Sequence, residues 1–276
     1  MTIRHAPHPV TGKPLYFGRN KPAPRAKKRY LGHYLARAGA ALPSPPLLLD
    51  CTGFSSGSLY AGLSDVLAND SLGDCTSAAV MHIVDSFLGR AGSTSPALTA
   101  QQAIDFYSLS TGYVPGNPST DQGGDEVAVI DTWIAKGVDG NGLHKAAARL
   151  DVDPADQATI KLLLFLFGNV YFGTGLPDAW TRNMPSGDGF VWDAAAPDED
   201  QGHAYPGLGY TDQGVLIDTW GMIGTETWAA VAKCTDELHC VLSQEDLAAA
   251  KMSVPGVDWD GLVADWRAEG GSAPAA

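Results

Sequence analysis

Apolar residues recur at helical spacing directly after a polar, turn-forming run at residues 69–74. Ala79, Ile83 and Phe87 lie four residues apart, a spacing that predicts a well-buried helix over residues 75–88. The same criterion, together with start and stop signals, predicts three further helices, over residues 98–107, 125–136 and 154–166.

The last third of the chain instead reads as β structure. Residues 202–210 and 215–221 flank a turn at 211–214, which predicts a hairpin. Three more strands are expected, at 47–51, 170–176 and 227–233. Helices early and an antiparallel sheet late indicate an α+β fold, with the two halves facing one another.

Composition places the chain among globular proteins. Of its 276 residues, 45% are hydrophobic and 18% charged, which argues against disorder. The longest apolar run, residues 162–167, is far too short to cross a bilayer. The N-terminus lacks the apolar core of a secretory signal. We therefore expect no membrane association and a cytoplasmic or virion-associated protein.

Charge divides the chain into a basic arm and an acidic body. Residues 1–49 hold nine Lys and Arg and no acidic residue, whereas the remainder holds nine basic residues against 31 acidic ones. The arm either lies on its own body or stays mobile, binds an anionic partner such as nucleic acid, or serves as a removable or inhibitory leader. The acidic body argues against nucleic-acid binding by the core domain.

Breaks in composition give the expected domain organisation. A basic, Pro/Gly-rich arm spans residues 1–46, with a short helix expected around 28–41. A globular domain follows over 47–268, and a flexible tail ends the chain at 269–276. Within the domain we expect a helical half at about 65–165 and a β half at about 168–235.

Four scattered cysteines do not form a disulfide framework. Cys234 and Cys240 are close enough in sequence to pair, and a reduced pair is equally compatible with the sequence. No CxxC or HxxxH cluster suggests a zinc site, so no metal is expected.

Cys75 is the first candidate for chemistry, because it would lie in the first turn of the predicted helix. Free backbone amides and the helix dipole favour an anion there and lower the pKa of a thiol. Ser71 or Asp74 is placed to cap the helix. Buried cysteines more often act as small hydrophobes, so a catalytic Cys75 requires a base and an orienting group.

His203 and Asp218 supply that pair. His203 opens one strand of the predicted hairpin and Asp218 lies on its neighbour. A carboxylate that holds one ring nitrogen of an imidazole leaves the other to face a thiol. Trp220, expected on the same face of the sheet as Asp218, would shield that hydrogen bond from water.

The order of six short motifs resembles the papain-like cysteine peptidase superfamily over most of residues 65–235. The segment ending at Cys75 (Asn-Asp-Ser-Leu-Gly-Asp-Cys) resembles its Gln-Gly-x-Cys-Gly-x-Cys stretch. The other motifs are Leu-Thr-Ala-Gln at 98–101, Gln-Gly-Gly at 122–124, Gly-Asn-Val at 168–170, Gly-His-Ala at 202–204 and Asp-Thr-Trp-Gly at 218–221.

The resemblance implies a two-lobed fold with a cleft between a helical lobe and a β lobe. It makes Cys75 the nucleophile, His203 the general base and acid, and Asp218 the orienting residue. Asn69 would donate a hydrogen bond to the oxyanion beside the Cys75 amide. It further implies a peptide or protein substrate and no cofactor.

Several positions depart from the superfamily pattern. Asp218 replaces Asn, as in the double-glycine leader peptidases, and Asn69 replaces Gln with a side chain one methylene shorter. Thr76 replaces an aromatic residue, and Leu72 occupies the place of the first cysteine of an early disulfide. These changes suggest a divergent branch, of bacterial or phage origin.

The leading functional hypothesis is a cysteine hydrolase that cleaves peptide or related amide bonds through a thioester on Cys75. One alternative is a catalytically degenerate papain-like module that serves as a structural or binding protein, for example in a phage particle. Another is a transglutaminase-like acyl transferase, because the same triad serves both reactions.

Overall fold

A computed structural model of the protein describes residues 4–24, 28–35, 42–244 and 257–268. Its strands are β1 (Arg4–Pro7), β2 (Pro14–Phe17), β3 (Leu49–Asp50), β4 (Ala146–Asp151), β5 (Val170–Gly175), β6 (Phe190–Trp192), β7 (Gly202–Tyr210), β8 (Gly214–Thr219), β9 (Met222–Thr227) and β10 (Thr235–Ser243). Its helices are α1 (Cys75–Arg90), α2 (Ala100–Thr111), α3 (Glu126–Lys136), α4 (Gln157–Phe167), α5 (Asp178–Thr181), α6 (Trp228–Cys234) and α7 (Trp259–Ala268).

A central sheet of eight strands organises these elements. Its order is β4-β10-β5-β7-β8-β9-β6, with the short β3 paired to β7. All pairs are antiparallel except β6 with β9, which is parallel. The α+β prediction is confirmed, and the predicted hairpin corresponds to β7 and β8.

Alternation along the strands creates two hydrophobic cores, one on each face of the sheet. Tyr171 and Ala204 pack with α1, α2 and α3 on the first face. Their neighbours Phe172 and Tyr205 stack on each other on the opposite face, with ring centroids 5.3 Å apart, and pack with α4 and α6. Neighbouring residues of a strand therefore contact different sets of helices, because their side chains lie on opposite faces of the sheet.

Local sequence explains where the helices begin. Thr99 and Gln102 form a reciprocal capping box at the start of α2. Asp125 caps α3 through the Ala128 amide. The predicted start of α4 is corrected by three residues, because Asp156 rather than Asp153 accepts the capping hydrogen bond.

Three other expectations are corrected. Residues 227–233, predicted as a strand, lie mainly in α6, because the Thr227 hydroxyl caps a run rich in alanine, the strongest helix former. Asp74 does occupy the N-cap of α1, yet its side chain makes no capping hydrogen bond. Of the helix expected at 28–41, a single 3₁₀ turn forms at Leu31–Tyr34, and residues 36–41 lie outside the described residues.

The basic arm contributes to the folded body. Strands β1 and β2 form an antiparallel hairpin, and Ala6, Leu15 and Phe17 from it are buried in the core on the α4 face. Residues 269–276, the expected tail, lie outside the described residues. In the part of the chain that the structure describes, no helix has both the length and the apolar character needed to cross a bilayer.

Removing the Phe172 ring tests the central packing layer. Phe172 is fully buried, so Phe172→Ala is expected to lower the free energy of unfolding by about 3–5 kcal/mol through lost transfer energy and an unfilled cavity. Phe54→Ala is the matched control, because Phe54 lies at the surface with 36% of its area exposed. Equal losses in urea unfolding for both variants would contradict this picture of the core.

Candidate active site

The site lies where the first residue of α1 meets the first residues of β7. One small cavity is lined by Asn69, Cys75, His203 and Asp218 together. Four residues separated by up to 149 positions thus converge at one place, as the motif order implied.

The Cys75 thiol is buried and already engaged. The backbone N–H of Gly18, from the arm, donates to the Cys75 Sγ at 3.3 Å. Burial raises the pKa of the Cys75 thiol to about 12, and the nearby charge of Asp74 adds to the rise, although hydrogen bonds from the Ala204 and Gly18 amides oppose it. The expectation of a lowered thiol pKa at the helix start is therefore wrong for this state, since desolvation outweighs the helix terminus.

His203 is held by two neighbours on its own face of the sheet. Its ring stacks on Trp220 with centroids 4.2 Å apart and planes 16° from parallel. Its Nε2 lies 2.8 Å from the Thr219 hydroxyl, and its Nδ1 has no hydrogen-bond partner among the described residues. Burial lowers the pKa of His203 to about 3, so the imidazole is neutral and Nδ1 is left for the cavity.

Asp218 makes a different contact from the one expected. Its Oδ2 lies 3.1 Å from Nδ1 of His82 on α1, although neither atom has a well-aligned hydrogen bond within the described chain. Burial raises the pKa of Asp218 well above its ordinary value, and burial lowers that of His82 to about 4. In the structure Thr219, and not Asp218, is the hydrogen-bond partner of His203.

Asn69 is near the nucleophile but turned away from it. Its Nδ2 donates to the Leu72 carbonyl at 3.0 Å. Burial raises the pKa of the nearby Asp74 well above its usual range. To serve an oxyanion, the Asn69 amide would have to give up the Leu72 carbonyl.

The arm crosses the site as an extended strand bonded to both sides of it. On the helical side, the Gly124 N–H donates to the Gly18 carbonyl at 2.8 Å and the Gly124 carbonyl accepts from Asn20 at 2.9 Å. On the β side, the Arg19 N–H donates to the carbonyl of Gly202, the residue before the histidine, at 3.0 Å. These bonds are those by which a sheet edge holds an added peptide strand.

Glycines make this close approach possible. A methyl group at position 18 would overlap the Gly73 carbonyl, and one at position 123 would overlap the Gly18 carbonyl. Position 202 is equally crowded by the Arg19 carbonyl. The Gln-Gly-Gly motif at 122–124 thus receives a backbone at van der Waals contact, a role for which glycine is required.

Arg19 anchors the arm in an acidic pocket beside the thiol. Its Nε lies 3.0 Å from the Glu126 carboxylate, and its Nη2 lies 2.7 Å from Asp236 and 3.1 Å from Glu237. Only 1% of the Arg19 side chain is exposed. Burial alone would lower the Arg19 pKa, but the three carboxylates raise it above its ordinary value, so the guanidinium stays charged.

Glu126, Glu237 and His239 also offer ligand atoms within 4.8 Å of one another, a spacing that a metal ion can use. The guanidinium of Arg19 supplies the positive charge at this cluster, and the Nε2 of His239 lies 3.0 Å from the Glu237 carboxylate. The ligand atoms that a metal ion could use are therefore already paired with side chains of this chain.

Sequence reasoning singled out Asn69, Cys75, His203 and Asp218, and all four line one cavity in the structure. It did not single out Thr219, which contacts His203, or the arm residue Gly18, which contacts Cys75. The order of the motifs carries no signal for Thr219, because it does not say which face of β8 each residue occupies. The lack of acidic residues in the arm signalled attraction to the body, but not the place where the arm binds.

Comparisons with known proteins rest on structure. No family model matches the sequence, and no curated protein matches it. Among solved structures, the chain is similar to xylellain, a cysteine protease from Xylella fastidiosa, with a TM-score of 0.57 and 12% identity over 88% of this chain and 99% of the other.

Two further structures agree. The cysteine protease and lectin-like domains of Cwp84 from Clostridium difficile give a TM-score of 0.52 and 12% identity, over 87% of this chain and 61% of that one. The structure from work on the mite allergens Blo t 1 and Der p 1 gives a TM-score of 0.52 and 15% identity, over 79% of this chain and 75% of that one. The chain therefore has the fold of the papain-like cysteine peptidases, as the motifs predicted.

Proposed function

We propose that this protein is a cysteine hydrolase that cleaves peptide or related amide bonds through a thioester on Cys75, and that its own arm holds it latent. The observation that carries the proposal is the extended backbone of residues 18–20. It lies directly over the Cys75 sulfur and is hydrogen-bonded to both sides of the cleft. A groove that binds this backbone in this way is suited to bind a peptide substrate.

The reaction follows from the groups around the cavity. With the arm displaced, the Nδ1 of His203 takes the Cys75 proton, and the thiolate attacks the substrate carbonyl. The resulting oxyanion is stabilised by the Cys75 amide, which has no intrahelical acceptor at the first position of α1. The imidazolium then gives its proton to the leaving amine, and water hydrolyses the thioester by the reverse proton transfers.

Thr219 is proposed as the residue that orients His203. For Nδ1 to act as the base, Nε2 must carry the proton, and the Thr219 oxygen at 2.8 Å is the acceptor placed to hold that tautomer. Asp218 is proposed as a support on the α1 face, because its carboxyl contacts His82. This assignment replaces the cysteine–histidine–aspartate triad expected from the motifs.

Latency has an electrostatic basis as well as a steric one. A thiol with a pKa of about 12 and an imidazole with a pKa of about 3 in the same cavity do not form a thiolate–imidazolium pair near neutral pH. Burial is the main cause of both shifts. Removal of the arm admits water to the sulfur and is expected to return both groups towards their ordinary values.

A catalytically degenerate binding module remains the second candidate, and one observation favours it. The Asn69 side-chain amide donates to the Leu72 carbonyl, so the side-chain donor expected for the oxyanion hole is already engaged. Loss of one such donor costs about 10²–10³ in rate, which leaves a slow enzyme or none.

Opening the arm should expose the nucleophile. Gly18→Ala is expected to raise the rate at which a thiol-directed reagent labels Cys75 at least about tenfold at pH 8, because each unit by which the thiol pKa falls raises the thiolate fraction tenfold. Labelling is measured by mass spectrometry of the peptide that contains Cys75.

Gly32→Ala is the matched control, since Gly32 also lies in the arm but nothing surrounds its Cβ position within 4 Å. The control should label at the wild-type rate. Equal rates for Gly18→Ala and wild type, with both chains folded by circular dichroism, would show that the arm does not limit access to the thiol.

Turnover of a peptide library by the Gly18→Ala chain tests the chemistry. Cys75→Ala or His203→Ala in that background should abolish turnover, with at least a 10²-fold loss expected for the general base.

Thr219→Val should lower kcat about tenfold through one lost hydrogen bond, whereas Asp218→Asn should have a smaller effect. No turnover of any member by Gly18→Ala would favour the binding module, and a larger loss from Asp218→Asn would restore the original triad.

Acid should weaken the attachment of the arm. Burial tends to raise the pKa of Glu237, but its hydrogen bond to His239 and the charges of His239 and Arg19 lower it to about 2. A carboxylate with a lowered folded-state pKa stabilises the fold above its ordinary value near 4.5 and loses that contribution as the pH falls towards 2.

The free energy of unfolding, followed in urea between pH 5 and 2.5, should therefore decline less steeply for Glu237→Gln than for wild type. Glu199→Gln, at an exposed carboxylate that pairs with Lys21 of the arm, should keep the wild-type slope. Identical slopes for all three chains would mean that Glu237 does not carry this dependence.

A further inference from the structure

The pocket that holds Arg19 lies next to the nucleophile and is part of the groove that the proposed substrate would use. Gly18 touches the Cys75 sulfur, and Arg19, one residue further on, directs its side chain into a recess between α3, β5 and β10. The Arg19 backbone lies opposite Gly124. A peptide strand in this groove would therefore present a side chain to the same recess.

The recess is built for a flat cation. Glu126 approaches the Nε of the guanidinium, and Asp236 and Glu237 approach the Nη2. Glu126 is fully buried and Glu237 is 7% exposed, whereas Asp236 stands at the mouth with 41% exposed. Carboxylates on separate elements match the several N–H groups of a guanidinium, which a single ammonium cannot reach at once.

Gly173 on β5 forms the floor of the recess. A methyl group at this position would overlap both the Arg19 guanidinium and the Glu126 carboxylate. The absence of a side chain at position 173 therefore leaves space for the guanidinium. Glycine in the middle of a buried strand otherwise weakens a sheet. Two independent features, the acidic walls and the missing side chain, fit the same ligand.

We infer that this pocket, formed by Glu126, Gly173, Asp236 and Glu237, is a specificity site for an arginine side chain of the substrate, and that Arg19 of the arm occupies it as an internal substitute. The inference rests on the proposed function, because it assigns the pocket to the substrate of that site. The ligand that the pocket would take is an extended peptide. One of its residues would contact Cys75, as Gly18 does, and an adjacent residue would be arginine, as Arg19 is.

A binding experiment separates this inference from catalysis. The full-length Cys75→Ala chain with Gly18→Ala is titrated with a fluorescent acetyl-Gly-Arg-Gly-amide peptide, which has glycine on both sides of the arginine and so contains the Gly18–Arg19 order of the arm as well as its reverse. The comparison is its citrulline analogue, which keeps the shape of arginine but lacks its charge. Anisotropy should show the arginine peptide binding at least about tenfold more tightly, because its hydrogen bonds to the carboxylates are charge-assisted. A lysine peptide should also bind more weakly than the arginine peptide.

Pocket variants locate the effect. Asp236→Asn and Glu237→Gln should each reduce the preference for arginine over citrulline several-fold, and the partly exposed Asp236 provides a variant expected to fold normally. Glu199→Gln, at an exposed acid outside the pocket, should leave the preference unchanged. Equal binding of the arginine and citrulline peptides, or a preference that survives the pocket variants, would overturn the inference.

The same arginine and citrulline sequences, each joined through an amide bond to a fluorogenic leaving group and applied to the Gly18→Ala chain with Cys75 intact, distinguish the two proposals. Arginine-selective binding without turnover would reject the hydrolase and retain the pocket. Turnover that ignores arginine would reject the pocket and retain the hydrolase. Failure of the arginine peptide to bind, while a small thiol reagent labels Cys75, would also reject the pocket.

Discussion

A guanidinium that is almost completely removed from water has to be paired with carboxylates, and the pairing of Arg19 determines where the arm lies. Glu126 and Glu237 are themselves buried and sit on different elements, so Arg19 joins α3 to β10 across the groove. Because the chain is continuous, this attachment places Gly18 against the Cys75 sulfur. The positive charge of the arm and the negative charge of the body thus meet in one specific contact, the pairing of Arg19 with Glu126 and Glu237.

The arm in turn sets the chemistry of the site through solvent exclusion. Ionising a thiol and protonating an imidazole both create charge, and a dry cavity disfavours each step. The two groups therefore remain neutral in the cavity that both line, although the helix start and the neighbouring amides would favour a thiolate in water. Under the proposed function, the displacement of the arm that gives a substrate access to the sulfur would also restore the dielectric in which the sulfur can react, so binding and activation would be physically coupled.

Much of this architecture could be predicted from the chain. The helix that begins at Cys75 and the hairpin that carries His203 follow from periodicity and turn residues. The order of the motifs predicted the papain-like fold although the solved structures it resembles share only 12–15% identity. Strands β4, β6, β9 and β10 of the central sheet, and the β1–β2 hairpin, were not predicted. Strand β4 is rich in alanine, and β10 carries charged residues that face Arg19. Their place in the sheet depends on tertiary contacts that local pattern does not record.

The partner of His203 shows most clearly why the remainder could not be predicted. A motif match fixes residue order, whereas the direction of a side chain follows from the face of the strand on which it lies. Ile217 packs on the α4 face, so Thr219 shares that face, and Asp218 is turned towards His82 on α1.

A hydroxyl in this position holds the tautomer of the imidazole but brings no negative charge to stabilise an imidazolium, which a carboxylate would do. The basicity of His203 then depends chiefly on its access to water. Under the proposed function, displacement of the arm would consequently control the strength of His203 as a base as well as the entry of the substrate.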